Sequence, residues 1–169
     1  MFSKTFVVLD LDSVDRYDEA RHTKATMAKA SATEVFNCTP EQFYKIISDY
    51  EKYHEFLAEV KKCTVLKTEG TKKLVEYNVQ VIKSFKYNLW MTESAPHSIT
   101  WEFASGDIFK TSVGSWKLED QAGKTKATYS VEATFGVFVP SPIANALVSV
   151  NLPNMMSAYH KRVKQVYGF

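Results

Sequence analysis

The sequence predicts an α+β domain in which a curved, seven-stranded antiparallel sheet surrounds one long C-terminal helix, in the order β-α-α-β6-α. Between residues 60 and 135, apolar and polar side chains alternate in strand-length runs separated by short turns, which is typical of an antiparallel meander. A helix-start signal precedes this region, and a long amphipathic helical pattern follows it. A single long helix needs an apolar surface to cover, and the sheet provides one.

Composition limits the classes of protein that fit. The 169 residues suffice for one domain with a full core, and shares of 45% hydrophobic and 24% charged residues are ordinary for a globular protein. A net charge of +2 gives little attraction to polyanions, so we expect no DNA partner. No run approaches the roughly 20 apolar residues of a membrane span. We expect a cytoplasmic protein, with peripheral membrane contact as an open alternative and with Cys38 and Cys63 reduced.

Residues 1–22 are predicted to form an N-terminal arm outside a domain that spans residues 23–169. Within the arm, residues 6–9 are apolar and could add a short edge strand. The acidic residues that follow show no period and fit a solvated surface. The domain itself is expected to begin with a strand at 24–36, where the side chains alternate with a weak period of two.

The first helix has the clearest start signal in the chain. Thr39 suits the N-cap, Pro40 the first helical position, and Gln42 completes a capping box. The predicted buried face of this helix consists of Phe43, Ile46, Ile47 and Tyr50. A second short helical turn at 53–57 is expected to add Tyr53, Phe56 and Leu57 to the core.

Six further strands are predicted at 60–67, 74–82, 85–93, 99–104, 108–118 and 124–135. In the strands that begin at 85, 99 and 124, the large apolar side chains fall on one face, so one face is covered and the other is wet. In the strand at 74–82 both faces carry apolar groups. We expect the face with Val75 and Val79 to point inward.

The last helical pattern covers residues 141–167. Its apolar face consists of Leu152, Met155, Met156, Tyr159, Val163 and Val166, and Gly168 follows where a helix end favours glycine. Pro153 would cost ~3 kcal/mol or more inside a helix, so we expect a break near Asn151. The break is either a simple bend or second helix start, or it leaves residues 136–149 as a movable lid. This region is unusually apolar for an exposed segment at Phe138, Val139, Ile143, Leu147 and the adjoining Val150, so it could cover a ligand or touch a membrane.

Three stretches resemble a known family. Residues 48–57 are similar to the segment "DYxxYxxFLP", residues 114–118 to "GxWxL", and residues 156–168 to the final helix of START-like domains, which have the helix-grip fold. Within that superfamily the chain most resembles the polyketide cyclase/dehydrase and coenzyme-Q-binding group. The likeness covers residues 24–168, and Ala58 departs from it by standing where the group has proline.

The resemblance implies that a hydrophobic small molecule, such as a lipid, a quinone or a polyketide-like compound, is bound between the sheet and the helix. Sites of this kind are lined mainly by apolar and aromatic groups. The candidate residues are Tyr87, Leu89, Met91, Trp101, Phe103, Tyr129, Val131 and Phe135 from the sheet, Phe138 from the lid, and Met155, Met156 and Tyr159 from the helix. The alternative is that these side chains simply pack together.

Two other functions stay open. An aromatase/cyclase-type enzyme follows only from the resemblance, because His22, His54, His97 and His160 are scattered and no metal-ligand spacing, catalytic motif or cofactor motif is present. A ribosome-association module, like the toxin group that shares this fold, could use a cluster of lysines. These are Lys61, Lys62, Lys67, Lys72, Lys73, Lys83 and Lys86. The alternative, which we prefer, is that these lysines form a solvated sheet face and protect its edges from pairing with another chain.

Overall fold

The computed structural model describes residues 6–8, 17–18, 23–24, 26–81, 83–136 and 139–168. The strands are β1 (Phe6–Val8), β2 (Tyr17–Asp18), β3 (Thr23–Lys24), β4 (Met27–Phe36), β5 (Val60–Glu69), β6 (Lys72–Gln80), β7 (Ser84–Ser94), β8 (Ser98–Gly106), β9 (Phe109–Gln121) and β10 (Lys124–Phe135). The helices are α1 (Pro40–Ser48), a 3₁₀ helix (Tyr50–Glu55), α2 (Ser141–Asn145), a π-helical turn (Ala146–Val150) and α3 (Leu152–Tyr167).

The main sheet is antiparallel throughout and has the strand order β1-β4-β10-β9-β8-β7-β6-β5. Strands β4 to β10 are the seven that the sequence predicts, and the helix-grip fold is confirmed. The short strand β1 pairs with β4 at the sheet edge and makes an eighth strand, while β2 and β3 pair separately. Val75, Tyr77 and Val79 of β6 are buried, so the valine face does point inward.

The capping box of α1 forms as predicted. The Thr39 hydroxyl accepts a hydrogen bond from the Gln42 backbone N–H at 3.3 Å, and the Thr39 N–H donates to Gln42 Oε1 at 3.0 Å. The predicted inner face of α1 is fully buried, as is Tyr50 in the following 3₁₀ helix. These two helices, together called the first helical region, therefore pack against the core.

Polar contacts join α3 to the first helical region. Arg162 Nη2 donates to Glu55 Oε2 at 2.5 Å, and its guanidinium lies 5.3 Å from the centroid of the Phe56 ring. The Tyr167 hydroxyl donates to the backbone carbonyl of Gln42 at 2.9 Å. The position of α3 over the sheet is thus set from both ends of the first helical region.

The C-terminal segment is broken where the proline predicts it. A π-helical turn ends at Val150, Asn151 is the N-cap of α3, and Pro153 lies in the first turn, where its missing N–H costs nothing. One predicted core residue is wrong, because Val166 is 48% exposed. With 3.6 residues per turn, Tyr167 takes the inward position one turn after Val163.

Candidate ligand-binding cavity

A cavity of about 180 Å³ lies between the inner face of the sheet and the C-terminal helical segment. The sheet contributes Val60, Tyr77, Val79, Tyr87, Leu89, Met91, Trp101, Phe109, Ser112, Trp116, Tyr129, Val131 and Ala133. The helices and connecting segments contribute Tyr53, Leu57, Glu59, Val81, Leu147, Val148, Asn151, Leu152, Met155 and Tyr159. The walls are mostly apolar and rich in aromatic rings, which is typical of small-molecule sites.

A glycine shapes one wall. Gly114 of β9 pairs with Trp101 of β8, and a Cβ at position 114 would stand 2.1 Å from Trp101 Cζ2. The indole therefore lies directly over the glycine backbone. The Trp101 ring is also 5.4 Å from that of Tyr129, which in turn contacts Trp116 at 5.0 Å. Together these rings form a continuous aromatic surface on β8, β9 and β10.

Tyr159 forms the opposite wall on α3. It is 2% exposed, and its ring lies 5.2 Å from both Trp116 and Phe56 and 5.8 Å from Phe43. The helix, the sheet and the first helical region thus meet at this residue. Its position is fixed by close ring contacts on three sides.

The tyrosine hydroxyls in the walls are neutral over the physiological pH range. Burial raises the pKa of Tyr53, Tyr77, Tyr87, Tyr129 and Tyr159 above the ordinary value of a phenol, and the proximity of their neighbours adds to the effect in most cases. The Tyr53 hydroxyl donates to the Ile47 carbonyl at 2.5 Å, and that of Tyr77 faces the weak acceptor Met91 Sδ at 3.7 Å. The cavity therefore offers neutral hydrogen-bonding groups.

Charge is scarce around the cavity. Among the described lining residues, Glu59 carries the one carboxylate, and no lysine, arginine or histidine is present. An anion transferred into such a site would lose its hydration without gaining a cationic partner, at a cost of several kcal/mol. The arrangement favours a neutral guest.

The predicted lid supplies part of the wall. Leu147 and Val148, in the π-helical turn, line the cavity, and Val139 packs against the core. Phe138 lies outside the described residues, and that the lid moves stays a prediction. A helix widened by one residue per turn is often found at functional sites.

The structure brings eight of the twelve predicted ligand-binding residues together around the cavity. These are Tyr87, Leu89, Met91, Trp101, Tyr129, Val131, Met155 and Tyr159. Phe103, Phe135 and Met156 lie elsewhere, and Phe138 is not described. Phe135 is fully buried against Phe109, with ring centroids 5.0 Å apart, and Phe103 packs on the same ring at 6.2 Å. Met155 and Met156 point about 100° apart on the helix, so Met155 faces the cavity while Met156 packs in the core.

The sequence prediction missed several lining residues. Trp116 is in the strand motif that carries the family resemblance, and Ser112, Gly114 and Trp116 alternate on the inner face of β9. That period of two was the available signal, but two of these three residues are too small to mark an apolar face. Tyr53 was expected in the core, and Tyr77 lies on the face of its strand that was expected to point inward; both also border the cavity.

The groups considered for other chemistry lie away from the cavity. His160 is exposed, stacks on Phe36 with centroids 4.3 Å apart, and lies 3.5 Å from Glu34. His54 is exposed, and its Nδ1 is 2.7 Å from the Glu51 carbonyl. In the described part of the chain no group of three His, Cys, Asp or Glu could hold a metal ion, and both cysteines are free thiols. None of the described helices has the length and apolar run that a membrane span requires.

The sequence pattern of the family described as "polyketide cyclase / dehydrase and lipid transport" matches residues 27–164. Among individual relatives, the ribosome association toxin RatA of Vibrio cholerae serotype O1 is 27% identical over 155 residues, covering 84% of this chain and 99% of that protein. The family match spans strands β4 to β10 and most of α3.

Solved structures share the fold. A START superfamily protein from Mycobacterium smegmatis superposes with a TM-score of 0.71 at 20% identity, covering 82% of this chain and 98% of the other. The Zhui aromatase/cyclase from Streptomyces sp. R1128 superposes with a TM-score of 0.71 at 13% identity, covering 83% of this chain and 96% of the other. A STAR-related lipid transfer protein fragment from Xanthomonas axonopodis gives 0.68 at 14% identity, with 95% and 99% covered. At these identities the likeness shows the fold alone.

Proposed function

Because the chain belongs to the polyketide cyclase/dehydrase and lipid transport family, we propose that it binds and carries a neutral, ring-containing small molecule in the cavity. The observation that carries this proposal is the lining itself, an aromatic surface with neutral hydroxyls and without a cationic side chain among the described residues. Such walls suit a quinone ring or a polyketide-like ring better than a fatty acid, whose carboxylate would lack a partner.

The volume of the cavity limits the size of the molecule that it can bind. A volume of about 180 Å³ is below the ~300–1,000 Å³ of drug-sized sites and close to an engineered cavity of ~150 Å³ that holds benzene. A cavity of this size fits one or two rings. A longer molecule, such as a prenylated quinone, requires displacement of the lid residues Leu147 and Val148.

Organic extraction of the purified protein, followed by mass spectrometry, tests the proposal. The wild type should release a neutral ring compound, and Val131→Phe should not, because the larger side chain would fill the cavity that Val131 lines. Val113→Phe is the matched control, since Val113 is 49% exposed on the opposite face of the sheet. The proposal is wrong if the wild type carries no guest and no neutral ring compound raises its melting temperature.

An aromatase/cyclase activity has less support. General acid–base catalysis works best with groups whose pKa lies near the operating pH, and the raised pKa values of the lining tyrosines move them away from it. Glu59 is the one described lining residue that could act as a carboxylate base.

Association with the ribosome is a second candidate, supported by the 27% identity to a ribosome association toxin over nearly its whole length. Four lysines of the predicted basic cluster lie within salt-bridge range of glutamates. These pairs are Lys67–Glu69, Lys72–Glu102, Lys73–Glu93 and Lys86–Glu76. Such pairing weakens the attraction to phosphates.

Co-sedimentation with ribosomes at increasing salt separates the two candidates. Ribosome association through the lysines would be weakened by Lys62→Glu and left intact by Val131→Phe. A carrier of small molecules would lose ligand binding in Val131→Phe and keep it in Lys62→Glu, and it would not sediment with ribosomes.

A further inference from the structure

Ser112 is a buried serine in a cavity wall that is mostly apolar. It lies on β9, is 4% exposed and lines the cavity, whereas its neighbour Val113 points outward and is 49% exposed. Ser112 pairs with Ala133 of β10 and is close in sequence to Phe109, whose ring packs against Tyr87 at 4.9 Å. Ser112 therefore lies on the inner face of the sheet, which faces the cavity.

The hydrogen-bonding state of Ser112 differs from that of Thr125, the other buried serine or threonine in the described part of the chain. Thr125 is fully buried, and its hydroxyl donates to the Cys38 carbonyl at 2.8 Å. No described residue forms a hydrogen bond with the Ser112 hydroxyl, which borders the cavity instead. A hydroxyl that faces a mostly apolar cavity can complete its hydrogen bonding only with water or with a bound molecule.

We infer that Ser112 is a specificity-determining residue, whose hydroxyl hydrogen-bonds an oxygen atom of the guest at the wall formed by β9 and β10. This inference rests on the proposed binding function and adds the chemical class of the guest, a cyclic compound with a carbonyl or hydroxyl oxygen. The neutral phenols of Tyr87 and Tyr129 border the same cavity. A pure hydrocarbon of the same size leaves the Ser112 hydroxyl unpaired.

The test compares two bicyclic probes that differ by one carbonyl, 1-tetralone and tetralin, by NMR titration of the full-length protein. Ser112→Ala should lower the affinity for 1-tetralone, relative to that for tetralin, by roughly three- to tenfold, which corresponds to the loss of one neutral hydrogen bond. The carbonyl stretching band of bound 1-tetralone should also move to higher frequency in the variant, because the hydrogen bond is lost.

Ser130→Ala is the matched control, because the Ser130 hydroxyl pairs with that of Ser115 at 3.0 Å, away from the cavity lining. It should leave both affinities unchanged. If Ser112→Ala does not fold, Ser112→Cys replaces it, since it keeps the size and weakens the hydrogen bond. An unchanged affinity ratio with an unchanged carbonyl band would overturn the inference while leaving the carrier function intact. Failure of both probes to bind the wild type would overturn the carrier function and the inference together.

Discussion

Gly114 is the residue that allows Trp101 to form a wall of the cavity. Gly114→Ala should force the indole away, since the new Cβ would lie 2.1 Å from Trp101 Cζ2 and 2.5 Å from the Ser130 carbonyl oxygen. Overpacking of this kind costs about 1–3 kcal/mol, which corresponds to a fall of roughly 2–12 °C in melting temperature for a chain of this length. Thermal denaturation measures the fall, and the fluorescence of Trp101 should change with it.

Gly136→Ala is the control for this prediction. A Cβ at position 136 would meet its nearest neighbour, the Asp107 carbonyl oxygen, at an ordinary 3.7 Å. It should leave the melting temperature nearly unchanged. Equal effects of the two substitutions would show that the indole does not lie over Gly114 as described.

At this same scale, the sequence predicted the large lining residues better than the small ones. Alternation placed Tyr87, Leu89 and Met91 on one face of β7, and Leu89 and Met91 are buried there with Tyr87 at the cavity. Ser112 and Gly114 were missed because they produce no apolar signal, although they shape the cavity and its polarity. Residue type indicates burial, whereas the space left between side chains depends on their packing.

At the scale of elements, we predict that the π-helical turn limits the size of the ligand that the cavity accepts, because Leu147 and Val148 line it. Leu147→Ala should widen the cavity and favour bulkier guests, because the Leu147 side chain lines it. We expect 4-tert-butylacetophenone to gain affinity relative to acetophenone, at a stability cost of at most about 2–5 kcal/mol. Paired NMR titrations of the two ketones give the change in selectivity.

Ile143→Ala is the control within the same lid, since Ile143 is not among the lining residues. It should leave the ratio of the two affinities unchanged. If Leu147→Ala also leaves the ratio unchanged, the π-helical turn does not limit the size of the guest.

Helix boundaries were predictable where single residues impose them. The capping box at Thr39 and the proline at position 153 each act on one turn of backbone, and both helices begin where these residues require. The π-helical turn before α3 was not predicted, because no residue type specifies an extra residue in a helical turn. Its form depends on the contacts of the lid with the sheet.

At the scale of the whole molecule, buried tyrosines make stability sensitive to alkaline pH. Burial raises the pKa of Tyr44 to about 12 and raises those of the tyrosines around the cavity as well. In the unfolded chain these phenols lose their protons near pH 10. Their contribution to stability is therefore fully present below pH ~10 and is lost as the pH rises through the higher pKa values of the folded state.

We therefore expect the free energy of unfolding to fall above pH ~10, by about 1.4 kcal/mol per pH unit for each such tyrosine. Urea denaturation at several pH values measures this slope. Tyr77→Phe should reduce the slope by the contribution of one tyrosine, about 1.4 kcal/mol per pH unit. Ultraviolet titration should show most phenols ionising only together with the loss of circular dichroism. Ionisation of all nine tyrosines near pH 10 in a folded protein would contradict this account.

The fold as a whole was predictable because each level of the sequence points to the same arrangement. Strand alternation, the capped first helix and the amphipathic last helix require one another, since the sheet and α3 each bury an apolar face. The volume left between them was not predictable from pattern. Gly114 and Ser112, two small residues on one strand of the wall, help to leave a cavity where larger side chains would have filled it.

Titration with acetophenone and benzoate tests most directly whether the protein binds a neutral ring compound in this cavity. The two molecules have nearly the same shape, but benzoate is charged at neutral pH, and the described lining holds no cation. We predict that acetophenone binds the wild type and is lost in Val131→Phe, and that benzoate binds roughly 100-fold more weakly or not at all. Equal affinities for the two compounds, or an unchanged affinity for acetophenone in Val131→Phe, would contradict the claim that the cavity binds a neutral ring compound.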